Sequence, residues 1–282
     1  LAHTPPIAPD AHKGTRKSIA VIAGAENMGG AAILAATGAL RSGAGLVQVI
    51  TALANVSSVH TLIPEALVGS LDKASSIIDD WADVVLIGPG LRNDDATHSF
   101  IRDVLSKWHG PVVVDAGAIS AFDGDVNGLA AVLQGHPAVI TPHPGELSKL
   151  IGRGINDILD NRFDVGVQLA RQLGAAVLLK GTPTVVFDPG GRRYVSAAGT
   201  PVLAAGGSGD ALGGIVATLL GQGCLPAVAA ACAAWIHGRA AELTPGVRGF
   251  RLTDVLDQLP QAWKIVPVTH RYPIIASLPG LA

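Results

Sequence analysis

The sequence has 282 residues, of which 49% are hydrophobic and 15% are charged, and its formal net charge is -2. This composition predicts a folded chain with a large core, sufficient for one large domain or two small ones. The sequence has no long basic or acidic block, which argues against binding to nucleic acid or to an anionic membrane surface.

The cysteines and the N-terminal segment bear on the cellular compartment. Cys224 and Cys232 form no CxxC pair, which argues against a disulfide framework and against a zinc site, and fits a reducing cytoplasm. The first 18 residues lack the apolar stretch of a signal peptide. They also lack an initiator methionine, so the chain is either processed or a piece of a longer protein. We expect residues 1–11 to form a flexible segment.

Short apolar runs alternate with helical patterns along most of the chain. In chain order we expect strands at 18–25, 46–51, 83–87, 111–114, 138–141 and 176–179, with helices at 30–42, 96–108 and 161–173 between them. Two further strands flanking the turn at 188–191 predict a hairpin between Thr184 and Ala197, and helices follow from residue 210 to the end. This alternation predicts one α/β domain of three layers, with a mainly parallel sheet covered on both faces.

Residues 211–236 carry no charge and are numerous enough to span a bilayer. The segment is interrupted midway by Gly221, Gln222, Gly223 and Pro226, which is typical of a turn between two helices. We therefore expect two buried helices and no membrane partner.

Glycine-rich or polar clusters follow five of the predicted strands. They read GAENMGG, GPGLRND, DAGA, TPHPGE and KGTPT. In open α/β sheets, ligands bind at the carboxyl ends of the strands. The five clusters therefore predict a cleft along one edge of the sheet.

The segment AAGGSGDALGG at 204–214 places one carboxylate, Asp210, among glycines. Glycines that enter a helix N-terminus expose backbone N–H groups, which can hold an anion such as a phosphate. Asp210 would then be a general base toward a substrate hydroxyl, although an ordinary helix N-cap explains it equally well. No Walker A motif and no GxGxxG after the first strand occur, which disfavours the nucleotide-binding classes that carry them.

The segment GTPVLAAGGSGDALGG at 199–214 resembles the anion-hole and catalytic motif of ribokinase-like proteins. With the five clusters in this order, residues from about 12 to 242 resemble the ADP-dependent NAD(P)H-hydrate dehydratases. The resemblance implies a ribokinase-like fold in a single domain, 1–282, with a small β-hairpin. It also implies a cytoplasmic carbon–oxygen lyase that returns the hydrated cofactors NADHX and NADPHX to NADH and NADPH. ADP would serve as phosphoryl donor, together with Mg²⁺, and AMP and phosphate would be released.

The resemblance also assigns roles to individual residues. It makes Asp210 catalytic and places Asp210, Ala31, Gly90 and His143 against the hydrate. The nucleotide would contact a larger set, which comprises Lys180, Gly181, Thr182, Pro183, Thr184, Gly206, Gly207 and Gly209. No direct protein ligand to a metal is expected.

For several of these residues the sequence leaves a second explanation open. Lys180 could cap a strand end, and Ala31 and Gly90 could serve only tight packing. Asn27 and Asp115 are further candidates for the cleft, with Asp115 bound either to a ligand or to a neighbouring loop. Glu146 fits a helix cap better than a water-mediated contact to Mg²⁺, and His143 is held rigidly between two prolines.

The family pattern and this sequence differ at one point. Where the family often has a second acid, this chain has Gly117 in the run Asp115-Ala116-Gly117, so no carboxylate can act at that position. Met28 and the tryptophans are expected to pack, with Trp235 on the nucleotide side.

The sequence also allows other functions and partners. One alternative is a ribokinase-like kinase for a thiazole or hydroxymethylpyrimidine alcohol, and another is a nucleotide-binding protein without catalysis. Family members are often homotetramers, and many carry an N-terminal epimerase domain that interconverts the hydrate epimers. We expect this sequence, which has no room for that domain, to be either a standalone enzyme or a fragment of such a fusion.

Overall fold

The computed structural model describes residues 3–264 and the backbone of residues 275–278. The strands are β1 (Ser18–Ile22), β2 (Leu46–Thr51), β3 (Leu67–Ser70), β4 (Val84–Ile87), β5 (Val112–Val114), β6 (Ala138–Ile140), β7 (Ala176–Leu179), β8 (Thr184–Phe187), β9 (Arg193–Ser196) and β10 (Ile275–Leu278). The longer helices are α1 (Gly29–Arg41), α2 (Val56–Leu62), α3 (Ala74–Trp81), α4 (Asp95–Lys107), α6 (Val126–Leu133), α7 (Pro144–Ile151), α9 (Val165–Leu173), α10 (Ser208–Gly221) and α11 (Pro226–Leu243). Four short α-helices follow the same order: α5 (Gly117–Ser120), α8 (Ile155–Asp160), α12 (Leu252–Leu256) and α13 (Leu259–Ala262). Three single-turn 3-10 helices, Leu53–Asn55, Leu71–Lys73 and Pro201–Leu203, complete it.

All the described strands belong to one sheet, in the order β10-β9-β8-β7-β6-β5-β4-β1-β2-β3. The seven strands from β7 to β3 in this order are parallel, whereas β8, β9 and β10 pair antiparallel with their neighbours. The predicted parallel sheet and the hairpin, which is β8 and β9, are both confirmed.

Helices cover both faces of the sheet. Within β1 the side chains alternate, so that Ile19 and Val21 join the core under α1, α10 and α11, while Ala20 and Ile22 join the core on the opposite face. A parallel strand that is buried on both faces needs an unbroken apolar run, and all five residues of β1 are buried. The three-layer α/β prediction is therefore confirmed.

Helices α1 and α10 touch backbone to backbone. A Cβ atom on Gly38 would overlap the carbonyl oxygen of Ala211, and one on Gly214 would overlap the carbonyl oxygen of Ala35. Glycine at both crossings lets the two helices approach closely. This contact fixes the N-terminal end of α10 against the sheet.

The sequence-based prediction differs from the structure in the C-terminal part. The uncharged segment is indeed two helices, because α10 ends at Gly221 and α11 begins at Pro226. Throughout the described ranges, no helix has the length and apolar character needed to cross a membrane. The expectation that helices run to the end is wrong, since β10 follows them and adds to the sheet edge beside β9.

Candidate active site

The strand order brings the five glycine-rich or polar clusters to one edge of the sheet. From β7 across to β1, the residues that follow each strand end are Lys180, His143, Asp115, Gly90 and Asn27. The carboxyl ends of parallel strands share one edge. Residues separated by more than 150 positions in the sequence are thereby placed along a single line.

The N-terminus of α10 points into this edge. Gly207 is the N-cap, with a φ of 88° that suits glycine, and Ser208 is the first helical residue. Asp210 is therefore the third residue of the helix and not its N-cap. The N-cap explanation of Asp210 is wrong, and the first-turn N–H groups of α10 have no partners within the helix.

A group of three acids and one base surrounds this helix end. Lys180 Nζ donates a hydrogen bond to Asp115 Oδ1 at 2.8 Å and lies 3.6 Å from Glu146 Oε2. Asp115 is 1% exposed, and Oδ2 of the same carboxylate has no hydrogen-bond partner in the described residues. Asp115 therefore binds Lys180 from a neighbouring loop, one of the two roles considered for it, and keeps one oxygen free.

Lys180 carries the positive charge of the group. Burial lowers the pKa of Lys180, but the negative charges of Asp115, Glu146 and Asp210 outweigh that effect and hold it above its ordinary value. A Cβ on Gly209 would lie 3.2 Å from Lys180 Nζ, so the lysine reaches the first turn of α10. The strand-cap explanation of Lys180 does not account for these contacts.

Asp210 is placed to take up a proton near neutral pH. Burial, together with the charges of Asp115 and Glu146, raises the pKa of Asp210 to about 6, against the opposing effect of Lys180. A general base works best when its pKa lies near the operating pH. The arrangement therefore suits Asp210 to accept a proton from a bound hydroxyl.

Glu146 and His143 cap α7 reciprocally. Glu146 Oε2 accepts a hydrogen bond from the backbone N–H of His143 at 2.8 Å, and His143 Nδ1 accepts from the N–H groups of Gly145 and Glu146. The capping role predicted for Glu146 agrees with this geometry. Because Nδ1 is an acceptor, neutral His143 carries its proton on Nε2, and its ring is 55% exposed.

Ala31 and Gly90 pack against each other at the ends of β1 and β4. A Cβ on Gly90 would lie 2.7 Å from the Ala31 Cβ, and Gly90 has a φ of 61°. These contacts account for small residues at both positions by packing, the second explanation considered above. Asn27 is exposed in the loop between β1 and α1 and has a φ of 69°.

Asn55, which no sequence motif indicates, fixes the loop after β1. Its Nδ2 donates to the carbonyl oxygens of Gly24 and Ala25 at 2.8 and 3.0 Å. Asn55 lies in a short helical turn between β2 and α2, where no motif marks it. Only the tertiary contact shows that it supports the site.

A cavity of about 580 Å³ lies beside Lys180 and the start of α10. Its lining comprises His143, the 180–184 segment, residues 196–201 and 203–205, Ser208, Gly209, Leu212, Ala234 and His237. Ligand sites commonly have this size. Of the residues predicted to contact the nucleotide, the lining includes the 180–184 segment and Gly209 but not Gly206 or Gly207. Asp210 and Trp235 do not line this cavity either.

Ser196 and His237 line the cavity and were not predicted from the sequence. Burial lowers the pKa of His237 to about 4, which keeps its imidazole neutral near pH 7. His237 directly follows the uncharged run within α11, and Ser196 lies at the end of a hairpin strand, so neither stands in a recognisable motif.

Comparison with known proteins gives consistent matches. A profile of the NAD(P)H-hydrate dehydratase family matches residues 19–261. The bifunctional NAD(P)H-hydrate repair enzyme of Moorella thermoacetica is 39% identical over 266 residues, which cover 88% of this chain and 49% of that protein. The chain thus spans about half the length of the bifunctional curated relatives that it matches.

Two solved structures share the fold. One is the ADP/ATP-dependent NAD(P)H-hydrate dehydratase of Bacillus subtilis, co-crystallised with ATP and Mg²⁺, with a TM-score of 0.81, 29% identity and coverage of 93% of this chain and 94% of that chain. The other is a ribokinase-like superfamily protein of Enterococcus faecalis, with a TM-score of 0.78, 27% identity and coverage of 92% and 90%. The fold is therefore ribokinase-like, and the chain belongs to the NAD(P)H-hydrate dehydratase family.

Proposed function

We propose that this chain catalyses the ADP-dependent dehydration of NADHX and NADPHX to NADH and NADPH, with release of AMP and phosphate. It would act as a carbon–oxygen lyase in the repair of damaged nicotinamide cofactors. The observation that carries the proposal is Asp210, a carboxyl group with a pKa raised to about 6, at the N-terminus of α10. The membership of the chain in the dehydratase family supports the same reaction.

The reaction would proceed in two steps. The hydroxyl oxygen of the hydrate attacks the terminal phosphorus of ADP, its proton passes to Asp210, and the bond to the AMP oxygen breaks. Phosphate then leaves with the ring C–O bond electrons, and the neighbouring carbon loses a proton to give the double bond. Phosphate is a far better leaving group than hydroxide, which explains why a fold suited to phosphoryl transfer would serve a dehydration.

The chain's own groups would stabilise the transferring phosphoryl group. The first-turn N–H groups of α10 and the buried Lys180 present positive charge at one point, where the equatorial oxygens of the phosphoryl group gain charge. Segment 180–184 and Gly209 line the cavity beside them and would hold the ADP phosphates, with Gly206 and Gly207 in the loop that leads into α10.

The hydrate would lie toward β4 and β1, on the other side of Asp210 from the cavity. Ala31, Gly90 and Asn27 follow these strands, and His143, which lines the cavity, would contact the hydrate from the end of β6. Small residues let a ring approach the backbone, so we propose that the mutual packing of Ala31 and Gly90 also shapes the substrate surface. Asp115 would act from beneath, by holding Lys180.

The acids of the site fit Mg²⁺ that arrives with the nucleotide. Mg²⁺ keeps several waters and is usually bound by one or two carboxylates together with substrate phosphates. The free Oδ2 of Asp115 and the carboxylate of Glu146 could hold such a hydrated ion, whereas no set of three ligating side chains occurs in the described residues. When bound, the ion would neutralise charge on the phosphates.

A direct assay tests the proposal. The purified chain is incubated with NADPHX and ADP or ATP, and recovery of the reduced-nicotinamide absorbance is followed. Recovery with stoichiometric AMP supports dehydration and ranks the two donors. A stable phosphorylated thiazole or pyrimidine alcohol would favour the kinase alternative instead, and nucleotide binding without turnover of any of these substrates would favour a non-catalytic role.

Cellular context is part of the same proposal. We infer a homotetramer that acts in the cytoplasm and works with an NAD(P)HX epimerase, either as a partner or as a domain of a longer chain. The bifunctional naming of the Moorella relative supports the epimerase link. The free, buried Cys224 and Cys232 suit a reducing compartment.

A further inference from the structure

Arg162 contacts the 180–184 segment without lining the cavity beside it. This arginine lies in the turn between α8 and α9, and its Nη1 donates hydrogen bonds to the carbonyl oxygens of Pro183 and Lys180, at 3.1 and 3.4 Å. A Cβ on Gly181 would overlap the same nitrogen, so the guanidinium lies directly against the backbone of the segment. The residues that line the cavity include 180–184 but not Arg162. The segment therefore separates the guanidinium from the cavity.

The guanidinium of Arg162 has no acidic partner in the part of the chain that the structure describes. Asp157 and Asp164, which are close to it in the sequence, pair instead with Arg153 and Arg193. Burial lowers the pKa of Arg162, and no neighbouring carboxylate opposes that effect. Since arginine stays protonated in proteins, Arg162 is a cation that carbonyl oxygens hold in place of a carboxylate.

The chain's own donors occupy three carbonyl oxygens of the segment. Arg162 binds those of Lys180 and Pro183, and Thr184 Oγ1 donates to the carbonyl oxygen of Gly181 at 3.0 Å. In a trans peptide the N–H points opposite to the C=O, so the Gly181 N–H points away from Arg162. No described residue accepts a hydrogen bond from the N–H of Gly181 or of Thr182. Backbone N–H groups left free beside a cavity suit an anion.

The orientation of these peptides decides whether the segment attracts or repels phosphate. Carbonyl oxygens carry partial negative charge and would repel a phosphate that they faced, whereas N–H groups attract it. Nothing in the segment itself holds the Lys180 and Pro183 carbonyl oxygens, because both bind only the Arg162 side chain among side-chain donors. Without this contact the two peptides could rotate.

We propose that Arg162 is a positioning residue for the nucleotide phosphates. It holds the carbonyl oxygens of Lys180 and Pro183 away from the phosphates and thereby keeps the Gly181 N–H directed toward them. Arg162 acts through the segment and does not touch the nucleotide. This inference rests on the proposed function in that it takes ADP as the co-substrate, and it adds a residue outside the 180–184 motif on which phosphate binding depends.

Three probes separate the phosphates from the rest of the nucleotide. Calorimetry measures the Kd of ADP, of inorganic diphosphate and of adenosine, which carries no phosphate, for the full chain and its variants. We expect Arg162→Met to weaken ADP and diphosphate alike, by about tenfold, and to leave the adenosine Kd unchanged. Arg162→Lys keeps the charge and one donor, so it should recover part of the lost affinity. In steady-state assays of Arg162→Met, the KM of ADP should rise while that of NADPHX stays unchanged.

Arg153→Met is the matched control. Arg153 lies nine residues earlier, pairs with Asp157 on the surface and does not line the cavity beside Lys180. Its loss should leave all three Kd values unchanged. Thermal melting without nucleotide checks the fold of each variant, and Arg162→Lys provides the comparison if Arg162→Met proves too unstable for calorimetry.

An unchanged diphosphate Kd in Arg162→Met would overturn the inference, as would an unchanged diphosphate Kd in Arg162→Lys where only that variant folds. An equal loss of adenosine affinity would also overturn it, because the effect would then extend beyond the phosphates. If the diphosphate Kd responds as expected but the parent chain does not convert NADPHX, the positioning role of Arg162 stands and the proposed reaction fails.

Discussion

Lys180 Nζ and Asp115 Oδ1 lie 2.8 Å apart, at the ends of β7 and β5, and both side chains are largely withdrawn from solvent. The strand between them, β6, leads into α7, whose capping acid Glu146 lies 3.6 Å from the same Lys180 nitrogen. The Lys180 side chain thus links the ends of β5, β6 and β7. The same cation lies against the first turn of α10, so the geometry of the site depends on this ion pair.

Asp115→Asn should destabilise the fold. The substitution leaves Lys180 buried with a neutral neighbour, and breaking a buried ion pair typically costs about 3–5 kcal/mol; the remaining contact with Glu146 puts the expected loss at the lower end. Urea unfolding measures this loss in the free energy of unfolding. Asp103→Asn removes an acid from an exposed pair with Lys107 and should change the free energy of unfolding little. Equal effects of the two substitutions would contradict the structural role of Asp115.

The pH dependence of kcat/KM should report Asp210. Because the carboxylate must be ionised to accept a proton, activity should rise with pH through a midpoint near the pKa of about 6. A profile of kcat/KM between pH 4.5 and 8 under saturating ADP measures it. A midpoint near 4, the ordinary value for aspartate, would show that burial and the charges around Asp210 do not raise its pKa as described.

Glu146→Gln should move that midpoint to lower pH. The negative charge of Glu146 is one of the influences that raise the pKa of Asp210, and glutamine removes the charge while its amide oxygen can still accept from the His143 N–H. Thermal melting should show a small loss, because the cap is retained. Glu146→Ala removes both the helix cap and the charge. It should lower the free energy of unfolding by about 0.5–2 kcal/mol and shift the kcat/KM midpoint as Glu146→Gln does. An unchanged kcat/KM midpoint in both variants would contradict the effect of the Glu146 charge on the pKa of Asp210.

The sequence predicts the strands of the sheet interior well because most of their residues are apolar, as in β4 with all four residues buried. Edge strands are harder to predict: β3 carries an exposed Leu67 and only partly buried neighbours, so its pattern is weak. In the site, Lys180 and Asp210 stand in motifs and can be found. Asn55 and His237 cannot, since their importance comes from contacts with segments more than 25 residues away.

Asp210→Asn should separate catalysis from stability. Loss of the proposed general base should lower kcat by about 10²–10⁴-fold, with ADP still bound. The folded-state pKa of Asp210 is raised above its unfolded value, so its contribution to stability is complete below about pH 4 and is lost as pH rises through about 6. The variant should therefore match the parent at pH 4 and be the more stable of the two at pH 8, as urea unfolding at both pH values would show. Equal stability at pH 8 would contradict the raised pKa.

Gly38→Ala should be strongly destabilising, in contrast to a second glycine of the same helix. A Cβ at Gly38 would overlap the Ala211 carbonyl oxygen, which cannot move without displacing α10, and overpacking of this kind typically costs about 1–3 kcal/mol. A Cβ at Gly30, also in α1, would have no neighbouring atom within 4 Å, so Gly30→Ala should be neutral or gain up to about 1 kcal/mol from helix propensity. Urea unfolding of the two variants compares them directly. Because Ala211 directly follows Asp210, Gly38→Ala should also lower kcat at temperatures where the variant remains folded, and full activity there would show that α10 does not depend on this crossing for its position.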